Sequence, residues 1–206
     1  MKYVRLCAAI AACCASTLAA AATPLPDSYD MLNGNTGSYH YWDDTYSGAG
    51  CTSCDNASLS GGLGQLTDGI VASDNWYVTE VPNNGPYVGW TLDPTIKFHF
   101  NASTSVDTVK IHFDDADGYG GVSAPSAVII NGNTYAVTDP AGYAPFWFTA
   151  SGVGFIGNDL NVTFVRNNSW VFASEVQFAN AVPEPETYAL MLAGIALIGV
   201  ASRRRR

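Results

Sequence analysis

The chain has 206 residues, 48% hydrophobic and 13% charged, enough apolar material for one buried core and little charge for a cytosolic enzyme. The formal net charge of −9 understates how acidic the middle is: residues 23–182 hold three cations, Lys97, Lys110 and Arg166, against 14 Asp and 2 Glu, or −13. Such a field repels nucleic acid and anionic lipid and attracts divalent cations, which excludes a nucleic-acid function.

Residues 1–22 read as a secretory signal peptide. Lys2 and Arg5 form a basic start, "LCAAIAACCASTLAA" an apolar helix, and Ala20 and Ala22 an A-x-A cleavage site before Thr23. A competing reading takes "IAAC" ending at Cys13, which resembles a bacterial lipobox, although the apolar stretch before it is very short.

Residues 23–63 form a loop-rich start to the exported body, with Cys51 and Cys54 in "YSGAGCTSCDNASLSGG". A C-x-x-C pair serves thiol redox chemistry, half a zinc site or a small disulfide. Redox cysteines open a helix after a strand, and this Gly- and Ser-rich stretch has no helical period. Zinc needs two more close ligands, and the only histidines are His40, His99 and His112. In an oxidising compartment a loop-stapling disulfide fits best.

Residues 64–180 read as strands. "TIKFHFN" and "VDTVKIHFD" alternate apolar with polar residues, and "SAVIING", "NTYAVTD", "APFWFTA", "LNVTFVRN" and "WVFASEVQFAN" follow at short spacing. "NGN" at 131–133 signals a tight hairpin, because Asn and Gly tolerate positive φ. With no amphipathic helix between them, these runs predict an all-β, antiparallel β-sandwich.

The motif order "LTDGIVASDNWY", "YVGWTLDPTIKFHF", "SAPSAVIINGNTYAV" and "WVFASEVQF" resembles the discoidin-like, galactose-binding-like jelly-roll of carbohydrate-binding modules. That resemblance implies one structural calcium joining the early Asp-Gly loop to the last strand, at Asp68 and Glu175 here, with backbone carbonyls completing the oxygen shell. Read from the residues alone, Glu175 alternates with Val176 and falls on the solvent face. "FDDADGYGG" starts like a calcium loop, but Ser126 stands where an EF-hand needs Glu, so a solvated turn is expected.

Trp and Tyr on sandwich loops offer sugar rings an apolar face, with Asn and Asp nearby for hydroxyls. Trp76, Trp90 and Trp170 are expected in the core, which leaves Trp42, beside Asp43 and Asp44, and Tyr119 as ligand candidates. No nucleophile elbow and no H-E-x-x-H motif occurs, so no enzyme is expected. Three classes follow: a surface protein binding polysaccharide, a structural matrix component with its aromatics buried, and a glycan hydrolase with converging carboxylates.

The chain ends in "VPEPETYALMLAGIALIGVASRRRR". Pro183, Glu184 and Pro185 hold the backbone extended and accessible. Residues 187–201 carry no charge; as a helix they span about 22 Å, short of a ~30 Å hydrocarbon core. The segment 187–202 reads as a transmembrane helix with no polar face, and Arg203, Arg204, Arg205 and Arg206 mark its cytoplasmic end. Residues 181–206 resemble the PEP-CTERM sorting signal. The resemblance implies export across the inner membrane of a Gram-negative bacterium, transient anchoring, processing by a membrane exosortase that reads Pro183, Glu184 and Pro185, and delivery to the cell surface or extracellular matrix.

Overall fold

The computed structural model describes residues 23–181 and the single position 195. The export signal, the Pro-Glu-Pro motif, the apolar segment 187–202 and the four terminal arginines lie outside the described residues, position 195 apart. Among the described residues no helix is long and apolar enough to cross a membrane.

Eight strands build the body: β1 (Ser28–Leu32), β2 (Ser58–Gly62), β3 (Val88–Trp90), β4 (Thr95–Phe113), β5 (Ala127–Ile130), β6 (Asn133–Ala136), β7 (Phe146–Val165) and β8 (Val171–Ala179). All their pairings are antiparallel, and they form two layers. The first runs β2-β1-β4-β7-β5-β6 through the early half of β4 and the late half of β7, with Ser28 opposite His99, Thr95 opposite Thr163 and Ile130 opposite Val162. The second runs β3-β8-β4-β7 through the other halves, with Trp90 opposite Val171 and Ile111 opposite both Val176 and Phe148.

β4 and β7 therefore pass through both layers. Their ladder breaks between His99 and Thr104 and again between Val106 and Thr108. Such bulges bend a strand and let it turn the corner from one layer to the next. "TIKFHFN" and "VDTVKIHF", expected as separate strands, are thus two parts of β4, because the polar residues 101–105 between them stay extended instead of reversing the chain.

Alternation along the long strands fills the space between the layers. Ile96, Phe98, Val109, Ile111 and Phe113 are all fully buried. Phe98 meets Phe178 and Phe113 meets Phe164 across the layers, each with ring centroids 4.9 Å apart. Trp90 is buried as expected, its indole donating to the Leu32 carbonyl at 2.8 Å. On the outer face of the first layer, His99 sits between Asp30 (3.0 Å) and Asp159 (2.8 Å). At the hairpin, Asn131 and Gly132 take φ of 46° and 84°, as a two-residue turn requires, and Ile130 pairs with Asn133.

The segment expected to be loop-dominated holds β1 and β2, so the sheet starts well before Gly64. Tyr29, Met31 and Leu59 supply its buried side chains. Strands of five residues in Gly- and Ser-rich surroundings give too few alternations to read, and they hold because β1 docks on β4.

Candidate functional site

Loops at one end of the sandwich bring aromatic rings together from four places in the sequence. The first anchor is Asp114, just beyond β4. Its carboxylate accepts from the Trp76 backbone N–H (3.0 Å) and from Asn75 Nδ2 (2.7 Å), which pins the short helical turn Trp76–Thr79 over the strand end. Burial pushes the Asp114 carboxyl up to about 6. The neighbouring Asp115 was expected in a solvated turn; it is 1% exposed and accepts from the N–H groups of Asp117 and Ala124. A turn reversing this sharply needs its amides satisfied, and an inward carboxylate does that.

Tyr41 is the second anchor. Its ring lies 5.9 Å from Trp76, 5.3 Å from Trp170 and 4.6 Å from Phe172. A cleft of about 60 Å³ opens among these rings, Gly37 and Gly120. Both glycines keep it open. A Cβ at Gly37 would stand 2.7 Å from the Tyr41 ring and 3.1 Å from Trp170, and one at Gly120 would meet Trp76 at 2.4 Å. Gly120 also has φ of 63°, a conformation that side chains resist.

Tyr119 extends the cleft outward. It is 63% exposed, stacks on Trp76 at 6.1 Å and 24°, and takes the edge of Tyr77 at 5.1 Å. The Trp76 side chain is buried, and its indole Nε1–H has no hydrogen-bond partner. A buried donor left unpaired costs about 1–3 kcal/mol.

The expected ligand candidates divide between two places. Tyr119 lies on the cleft. Trp42 instead stacks on His40 at 4.2 Å and donates through Nε1 to Asp55 Oδ1 at 2.7 Å. Cys51 and Cys54 are joined by a disulfide in the loop leading to Asp55. Asp43, beside Trp42, is fully buried and bonds the Tyr29 hydroxyl and the Gln65 N–H; burial pushes it up to about 6. Trp76 is buried as expected, yet it lines the cleft, and Trp170 is only partly buried. Gly37, Tyr41 and Gly120 carry no site signal in the sequence; only the Gly-rich setting of Tyr119 hinted at this cleft.

Asp68 and Glu175 are brought close. The Gly69 N–H donates to Glu175 Oε2 at 3.1 Å, and burial, with the Asp68 charge adding to it, pushes the Glu175 carboxyl up to about 7. Glu175 is 4% exposed, so it is not on a solvent face: residues 65–72 cover the outer side of β8, where Ser174 accepts from the Ala72 N–H and bonds His112 Nδ1 at 2.8 Å. Glu175 is buried and Asp68, beside Gly69, is exposed, and carboxylate oxygens of this kind suit a hard cation. Among the described residues no group of three or more Asp, Glu, His or Cys gathers in this way, so carbonyl oxygens would complete any shell.

Residues 26–120 match the family described as discoidin domain-containing receptor 1/2, DS-like domain, and residues 181–206 match the PEP-CTERM protein-sorting motif. The chain is a PEP-CTERM protein with a discoidin-like β-sandwich. The discoidin match begins before β1, in keeping with the place of β1 and β2 in the sheet.

Similar solved structures include a Streptococcus pneumoniae β-galactosidase BgaA structure (16% identity, 76% of this chain and 92% of that one, TM-score 0.43). The family 32 carbohydrate-binding module of C. perfringens NanJ, in complex with galactose, is 9% identical over 46% of this chain and 76% of its own, with a TM-score of 0.32. The chain spans 24% of the length of SpGH29, at 12% identity over 58% of this chain and a TM-score of 0.38. No curated protein matches the chain. The PEP-CTERM motif carries export and sorting to the cell surface by exosortase.

Proposed function

We propose that this PEP-CTERM protein is a non-catalytic polysaccharide-associating component of the cell surface or extracellular matrix. The observation that carries the reading is Tyr119, an exposed ring stacked on Trp76 beside an open aromatic cleft. A purely structural matrix protein would bury such rings, and Tyr77 is also 38% exposed. The hydrolase reading is disfavoured because the nearby carboxylates are already engaged: Asp114 accepts from Trp76 and Asn75, and Glu80 accepts from the Tyr87 N–H at 2.9 Å.

Tyr119→Ala removes the platform while leaving the core intact. Affinity electrophoresis through polysaccharide-loaded gels should show retardation of the wild type and about tenfold weaker binding of the variant, the worth of one aromatic stack. If no polysaccharide retards the wild type, this reading fails.

The same proposal includes one structural calcium held by Asp68 and Glu175, which would tie the loop after residues 65–67 to β8. Calcium should raise the melting temperature relative to chelated protein, and Glu175→Gln should abolish the difference. Identical melting with calcium and with chelator would count against the site.

A further inference from the structure

The glycan reading leaves the class of sugar open, and the charges around the cleft narrow it. The cleft of about 60 Å³ holds about two waters, so a substituent enters it and not a whole sugar ring. Its walls are ring faces and edges, with Tyr41 nearly perpendicular to Trp76 (87°) and to Trp170 (78°).

Among the described residues no lysine or arginine lines the cleft. Lys97 pairs with Asp159 at 3.0 Å, and Lys110 lies 4.8 Å over the Trp147 ring. Arg166 comes nearest in sequence to Trp170, but its Nε binds Asp93 at 3.0 Å and its Nη1 the Ser169 carbonyl at 2.8 Å. Carboxylates stand close instead. Asp114 accepts from the Trp76 backbone N–H at 3.0 Å, and Glu80, whose own N–H donates to the Trp76 carbonyl at 2.9 Å, follows directly on the same helical turn. A uronate entering this field would find no counter-charge, whereas an ammonium group would be drawn in and would rest on the ring faces.

Resting on the glycan-association reading, we propose that the cleft takes the ammonium group of an amine-bearing glycan, a polymer whose amino sugars are free and not acetylated. The sugar ring then lies along Tyr119, and the Trp76 indole N–H donates to a hydroxyl or ring oxygen beside the amine. The net charge of −13 over residues 23–182 draws such a chain in from a distance.

The test compares three tetramers on the purified exported protein by tryptophan fluorescence at neutral pH: glucosamine, N-acetylglucosamine and galacturonate. Glucosamine should bind about tenfold more tightly than its acetylated form, and galacturonate not measurably. Gly37→Ala, which puts a methyl between Tyr41 and Trp170, should remove that preference, and Tyr119→Ala should weaken glucosamine binding. Should Gly37→Ala fail to fold, the Tyr119 variant and the ranking of the tetramers still decide. Equal or tighter binding of the acetylated or galacturonate tetramer overturns the ammonium assignment and leaves the glycan reading standing. Glucosamine binding untouched by Tyr119→Ala is diffuse attraction to an acidic body and overturns the assignment too. Binding of none of the three overturns the ammonium assignment, while the polysaccharide-loaded gels decide the glycan reading separately.

Discussion

Acidifying the purified protein from pH 8 to pH 5 should raise its melting temperature, by on the order of 10 °C in chelated buffer for a body of this size. Four almost fully buried carboxyls are responsible. Burial pushes Asp43 and Asp114 up to about 6 and Glu80 and Glu175 up to about 7, from ordinary values near 4. Between the ordinary and the raised value the folded state binds more protons than the unfolded one, so stability rises as pH falls through that window. At 1.36 kcal/mol per pH unit of displacement, each carboxyl is worth up to ~3 kcal/mol.

Two histidines act in the same range with opposite signs. His99, raised by Asp159 and Asp30 against a partial desolvation, adds stability that is fully present below about 6.5 and is lost as pH rises through its folded value. His112, held down to about 4 by burial, opposes the trend because the unfolded state takes up its proton first. Four carboxyls outweigh one imidazole. Asp43→Asn, which keeps an acceptor for Tyr29, should flatten the profile. A melting temperature that is level or falls towards pH 5 would show that these carboxyls are not held in a dry interior.

What the sequence could and could not disclose follows from range. Alternation in "TIKFHFN" and "VDTVKIHF" is a local consequence of a sheet with one buried face, and the Asn131-Gly132 turn is local backbone chemistry. Both were legible. The bend in β4 was not, because residues 101–105 have the composition of a turn, and the chain runs on through them as one strand across a break in its ladder to β7. The cleft was still less legible. Gly37, Trp76, Gly120 and Trp170 lie far apart along the chain, and they converge because a buried Asp114 captures the amides around Trp76. In sequence Asp114 is one of several acids in a loop; nothing local tells a solvated carboxylate from one that organises an aromatic cluster. Trp76 was read as core and is buried, but its unpartnered indole N–H is visible only once its neighbours are placed.

Glu184→Ala should have the largest effect of all, close to all-or-none: the variant stays in the inner membrane while the wild type leaves it. The Pro-Glu-Pro element falls within the matched sorting motif, residues 181–206. Proline disfavours helix, and Glu184 is the acid that the sequence sets between Pro183 and Pro185. Intact mass and fractionation give the readout, with a wild-type product beginning at Thr23 and lacking the four arginines. Processing also changes the electrostatics, because most of the chain's basic residues sit in its two ends: the precursor stands at −9 and residues 23–182 at −13. The chain thus becomes most attractive to a cationic glycan only once it has been trimmed. If wild type and variant both retain the apolar tail in the inner membrane, the tail is an ordinary anchor, and delivery to the surface matrix loses its support together with that timing.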